Sequence, residues 1–175
     1  MRNIFLTAFL LLLLNSSCSD GDLQIETIDF DSVAVQSCGD PVASAANILF
    51  KINQDEALIL DLQSGVLNNG VMQADTTVVT ESTVSGQSQI FYRIFSDNVT
   101  SNYFCDDFPP VTPTVIEEIV AEDGMVLINT TMSADSTSFI HVIELSGISL
   151  VSDSGERITD LTINEFGEVT TAISN

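Results

Sequence analysis

His141 is the one histidine in 175 residues, set in the run Phe139-Ile-His-Val-Ile-Glu-Leu145. A serine or cysteine nucleophile needs an adjacent base, so any such chemistry would have to pass through this imidazole. No serine sits in a G-x-S-x-G turn. On a strand, His141 shares its face with Phe139, Ile143 and Leu145, which points to a half-buried structural histidine. Carboxylates are the other chemical resource. Asp29 and Asp31, Asp106 and Asp107, Glu117 and Glu118, and Glu122 and Asp123 are close in sequence. A glycosidase needs two carboxyl groups ~5–9 Å apart across a sugar site. A chain with 25 acids supplies such pairs by chance, and its lack of tryptophan gives a sugar little to stack on. No cofactor is implied. Calcium is the one ion whose hard oxygen donors are present, in Asp106-Asp107 and in Ser152-Asp-Ser-Gly-Glu156, and neither stretch matches the twelve-residue calcium loop.

Aromatic residues gather around one basic residue. Phe91-Tyr92-Arg93-Ile-Phe95 is followed within about ten residues by Tyr103-Phe104-Cys105 and Phe108-Pro109-Pro110. Tyr92, Arg93, Tyr103, Phe104 and Phe108 form a candidate binding patch, because loops on a rigid scaffold carry recognition disproportionately. Packing of the same aromatics around a cross-link is the plainer alternative.

Short β-branched and aromatic runs, split by Gly, Asn, Asp, Ser and Pro clusters, must position these groups. Strands are expected at 23–29, 33–38, 47–52, 57–62, 76–80, 89–95, 124–131, 139–145, 158–163 and 169–173. Asn53-Gln-Asp-Glu56 should join a hairpin, Leu67-Asn-Asn-Gly70 should turn, and Phe166-Gly167 should turn before the last strand. The stretch "PTVIEEIVAE" fits a short helix near 114–121 by spacing, yet Val and Ile favour a strand running into a turn at Glu122-Asp123-Gly124. About ten strands at such spacing predict an all-β domain: an antiparallel β-sandwich or a Greek-key, barrel-like fold.

The N-terminus carries an address. Arg2 precedes Ile4 to Leu14, eleven residues that are apolar except for Thr7. A helix of that length covers about half of a ~30 Å hydrocarbon core, so it reads as the core of a secretory signal and not as a span. Leu14-Asn15-Ser16-Ser17-Cys18 follows. This resembles the lipobox of bacterial lipoproteins, with Leu14 one position further from the cysteine than the family prefers. The resemblance implies a signal peptide over 1–17 and a diacylglyceryl group on Cys18, with cleavage leaving that cysteine first. Stable anchoring takes two or more acyl chains, which such a group supplies. Cys18-Ser-Asp-Gly-Asp22 resembles the surface-export signal of flavobacterial-type lipoproteins, with a solvated acidic tether between lipid and domain as the plainer alternative. Residues 23–175 would then form a single domain.

With 1–17 removed, the chain holds 175 − 17 = 158 residues and a formal charge of 3 − 25 = −22, its only bases being Lys51, Arg93 and Arg157. Such a surface repels nucleic acid and anionic head groups, which excludes those partners. Once Cys18 is assigned to lipid, Cys38 and Cys105 are an even pair in an exported chain, and a disulfide between them is expected. Two cysteines and one histidine are too few for a zinc site. These features imply an exported protein, lipid-anchored at the outer membrane on its periplasmic or cell-surface side. It would be a non-catalytic binding or structural module for a protein or glycan, with a carboxylate-dependent hydrolase of polymers or esters as the alternative.

Overall fold

The computed structural model describes residues 28–70, 76–153, 155, 157–158 and 165–173. Among the described residues, nine antiparallel strands form one sheet that does not close on itself. They are β1 (Gln36–Ser37), β2 (Asn47–Asn53), β3 (Glu56–Leu62), β4 (Val78–Thr83), β5 (Ser88–Phe95), β6 (Val115–Met132), β7 (Ser138–Val151), β8 (Arg157–Ile158) and β9 (Glu165–Ala172). One helical turn, α1 (Asn102–Cys105), lies between β5 and β6. The fold is therefore all-β, with an open sheet among the described residues.

Two long strands carry the architecture. The first half of β6, through Val120, pairs with β5, and its second half, from Met125, pairs with β4. β7 pairs with β6 from Val120 to Met132, with β9 on the other side of its first half and β8 at its end. Bulges separate the two halves, at Ala121/Asp123 and Asp123/Met125 opposite Ser149 and Ser146. Gly124 sits there with φ +131°, and an added Cβ would lie 2.5 Å from Ile148 Cδ1. The bulges flip the side-chain alternation. Ile119 and Ala121 face inward before them, and Val126 and Ile128 after them. The sheet thus folds over itself. Leu58, Leu60, Ile90, Ile119 and Ala121 from one half share a core with Val126, Ile128, Ile143, Leu145 and Phe166 from the other. This is sandwich packing achieved with a single bent sheet.

Several expectations need correction. The stretch near 114–121 is strand from Val115 onward, the reading its Val and Ile content favours over a short helix, but Glu122-Asp123-Gly124 is a bulge inside β6 and not a turn. Phe166-Gly167 likewise lies within β9, at a bulge opposite Ile143 and Glu144 that turns Phe166 into the core. The strand expected over 33–38 shrinks to Gln36–Ser37. The strand expected over 23–29 and part of that over 158–163 lie outside the described residues.

Candidate functional site

β2 and β3 carry buried residues on both faces. Leu49, Leu58, Leu60 and Leu62 enter the main core, while Phe50, Ala57 and Ile59 point to the opposite face with Phe95 of β5. A strand buried on both sides needs a second cover. Residues 96–114 supply it. Ser96 N–H donates to Thr114 O at one end, and Val99 N–H donates to Gln54 O in the β2–β3 turn. Phe104 stacks on Phe50 with centroids 4.5 Å apart, and Tyr103 meets Phe95 edge-on at 4.9 Å. Cys105 is disulfide-bonded to Cys38 just past β1, with Cα atoms 5.1 Å apart. The cover is therefore stapled to the sheet.

It leaves part of the outer face open. A groove of about 720 Å³ runs beside it. Ile48, Ile59 and Phe91 give it an apolar floor, Tyr103 and Phe104 one wall, and residues 37–47 the other. The second wall is braced by Asn47, whose side chain accepts from Val42 N–H and donates to Val42 O and Ala45 O. Ser64 Oγ–H donates to Ser44 O, adding a brace from the loop after β3. Arg93 lies at one end of the floor and is ion-paired with Glu118 across the β5–β6 register. Asp61 lies at the other end, half-buried between Ile48 and Gln89 of the neighbouring strands.

The proposed patch divides. Arg93, Tyr103 and Phe104 line the groove. Tyr92 does not join them: it is buried in the main core, edge-on to Phe30, and its hydroxyl donates to Glu56 Oε1 at 2.6 Å. Adjacent strand residues point to opposite faces, so Tyr92 and Arg93 could not share one. Phe108 is 90% exposed and is not a groove residue. Ile48, Ile59, Phe91 and Asp61 went unselected. Consecutive apolar residues, Ile48-Leu49-Phe50 in β2 and Ala57 to Leu60 in β3, were the signal for Ile48 and Ile59, because such runs mark two-sided burial.

His141 is fully buried. Thr171 Oγ1–H donates to Asn69 Oδ1 at 2.6 Å, so its oxygen accepts from His141 Nε2–H at 2.9 Å. His141 Nδ1 is then an acceptor, filled by the Thr130 hydroxyl at 2.7 Å. Burial pushes the imidazole pKa down to about 4. A neutral ring with both nitrogens engaged inside the core is a structural element, with no route to a substrate.

Lys51 faces the other end of the core. Its ammonium donates to Phe30 O at 2.8 Å and lies 5.7 Å from the centroid of Phe166. Burial lowers its pKa, opposed by the charges of Asp31, Glu165 and Asp29. It ties the segment before β1 to β9 beside a smaller cleft of about 400 Å³. Among the described residues, no group of three or more His, Cys, Asp or Glu side chains could hold a metal. Asp106 and Asp107 are exposed, and the loop at 152–156 lies partly outside the described residues. The other acidic pairs are turn or ion-pair groups: Asp29 caps Asp31 N–H, and Glu122 meets Arg157 at 3.7 Å. Cys18 and the segment around it lie outside the described residues.

Comparison with models of known protein families, with curated proteins and with solved structures finds no match.

Proposed function

We propose that this chain is a lipid-anchored envelope protein that works as a non-catalytic binding module, taking its ligand in the groove on the outer face of β2, β3 and β5. The observation that carries the binding role is the groove's construction. Its floor is apolar, one wall is stapled by Cys38–Cys105, and the other is braced through Asn47. Walls fixed before binding reduce the ordering that binding would otherwise require. Its volume lies in the range of sites for small molecules or short chain segments. His141, the base a nucleophilic hydrolase would use, is locked away in the core.

The anchoring role rests on Arg2, the short apolar run and Leu14-Asn-Ser-Ser-Cys18. With a charge of 3 − 25 = −22 after residue 17, attachment would depend on acyl chains alone. Metabolic labelling with a fatty acid tests this. The parent chain should carry label and sediment with outer membrane. Cys18→Ala should lose both, and an unlabelled parent would refute the address. Ligand binding is tested on the full chain held in phospholipid nanodiscs with isoleucine methyls labelled for NMR. Apolar probes should move the Ile48 and Ile59 methyls and leave Ile128 and Ile143, deep in the main core, unchanged. Shifts spread evenly over all four, or none at any concentration, would refute a groove ligand.

A further inference from the structure

We infer that the groove selects a small organic cation: a ligand with an apolar body lying over Ile59 and Phe91 and an ammonium or guanidinium head seated at Asp61. This rests on the groove being the binding site and adds the charge of its ligand.

The register fixes the geometry. Asp61 is opposite Gln89, and Arg93 lies four residues further along β5, so the two positions are offset by about 13 Å of backbone along the strand direction. Ile59 and Phe91, which are direct cross-strand partners, occupy the space between them. The two ends differ in one respect. Arg93 is neutralised by Glu118, its own cross-strand partner. Asp61 has no cationic partner among the described residues, and its cross-strand neighbours on this face are Ile48 and the amide of Gln89. The Gln89 amide is already engaged, donating to Ala121 O at 2.9 Å. Asp40, also without an ion pair among the described residues, adds a second carboxylate to the wall.

A half-buried carboxylate beside apolar and aromatic surface favours a charged head that brings its own hydrophobic body, because the body covers the floor while the head meets the charge. Phe91 and Tyr103 place aromatic rings in the lining, and aromatic rings attract cations. The chain's charge of −21 acts in the same direction at long range, concentrating cations and excluding anions. An anionic ligand would have to displace Glu118 from Arg93 and approach against that field.

The test uses three probes with one body and different heads: 4-phenylbutylamine, 4-phenylbutanol and 4-phenylbutyrate. Each is titrated into the full chain in nanodiscs, and affinity is read from the Ile48 and Ile59 methyls, so partition into the bilayer does not count as binding. The amine should bind at least tenfold more tightly than the alcohol and the acid more weakly still. Asp61→Asn, which keeps size and shape, should remove most of the amine's advantage and leave the alcohol's affinity within about twofold. Equal affinities for all three probes would overturn the charge selection while leaving a groove that binds apolar bodies. An amine advantage that survives Asp61→Asn would overturn the assignment of Asp61. Failure of every probe to move either methyl would overturn both the selection and the binding role.

Discussion

His141 makes a quantitative statement about stability and pH. Its folded-state pKa of about 4 lies below the ordinary value of 6.5 because the core disfavours the charged ring. The unfolded chain therefore binds more protons than the folded one between these values, and stability must rise with pH across that window. The contribution is fully present above pH 6.5 and fades as pH falls towards 4. From pH 7.5 to pH 5 the loss amounts to about 2 kcal/mol, with a limiting slope near 1.4 kcal/mol per unit. His141→Gln provides the control, since glutamine does not titrate and the chain's 25 carboxylates are common to both proteins. The variant should be less stable at pH 7.5, by about 1–3 kcal/mol, because the Thr130 and Thr171 hydroxyls lose the imidazole between them. That gap should close by about 2 kcal/mol as pH is lowered to 5. Urea denaturation followed by circular dichroism at pH 7.5, 6.5, 5.5 and 5.0 gives both curves. The imidazole signals of this single histidine should also titrate in the folded protein near pH 4. A gap that stays constant with pH, or a folded-state midpoint near 6.5, would refute the reasoning.

Two further substitutions probe how the fold holds the groove. Cys105→Ser should lower stability by about 4 kcal/mol, the chain-entropy value for a loop spanning 67 positions, and should loosen the cover so that Phe104 leaves Phe50. Thermal denaturation of parent and variant measures the first effect, and a thiol titration of the unreduced, denatured parent should find neither Cys38 nor Cys105 reactive. Gly124→Ala should cost about 3 kcal/mol or more, because alanine is strained at φ +131° and its Cβ would press on Ile148 and the Gly147 carbonyl. A loss below about 0.5 kcal/mol in the same melts would show that the bulge relaxes freely.

The strand-rich class was legible because local signals agreed. Asn47–Asn53 and Glu56–Leu62 are apolar runs on either side of polar residues, and Gln54 takes the positive φ of 59° that such a tight connection needs. The long strands were not legible, and the reason is arithmetic. A strand is recognised by alternation of period two, and a bulge shifts that alternation by one. In β6 the inward positions are Ile119 and Ala121, then Val126 and Ile128. In β7 they are His141, Ile143 and Leu145, then Ile148 and Leu150. Each strand therefore reads as two unrelated fragments separated by acidic or glycine residues, which imitate a turn.

The groove was legible only in part, for a related reason. Two cysteines and a set of aromatics announced a cross-linked cover, and the structure places Tyr103 and Phe104 in it. What the cover lies on could not be read from those residues. Adjacency in sequence joined Tyr92 to Arg93, but on a strand adjacency means opposite faces, and Tyr92 went to the core. The floor came instead from Ile48, Ile59 and Phe91, which are remote in sequence and become neighbours only through the β2–β3 and β3–β5 registers. Asp61 shows the difference most sharply. In sequence it is one acid among 25, placed between Leu60 and Leu62 at the end of an apolar run. In the sheet it is a carboxylate whose neighbours on that face are Ile48 and Gln89, with the cation nearest along the groove already held by Glu118. Its chemical meaning comes from register, because register decides which charges are neutralised and which are left for a ligand.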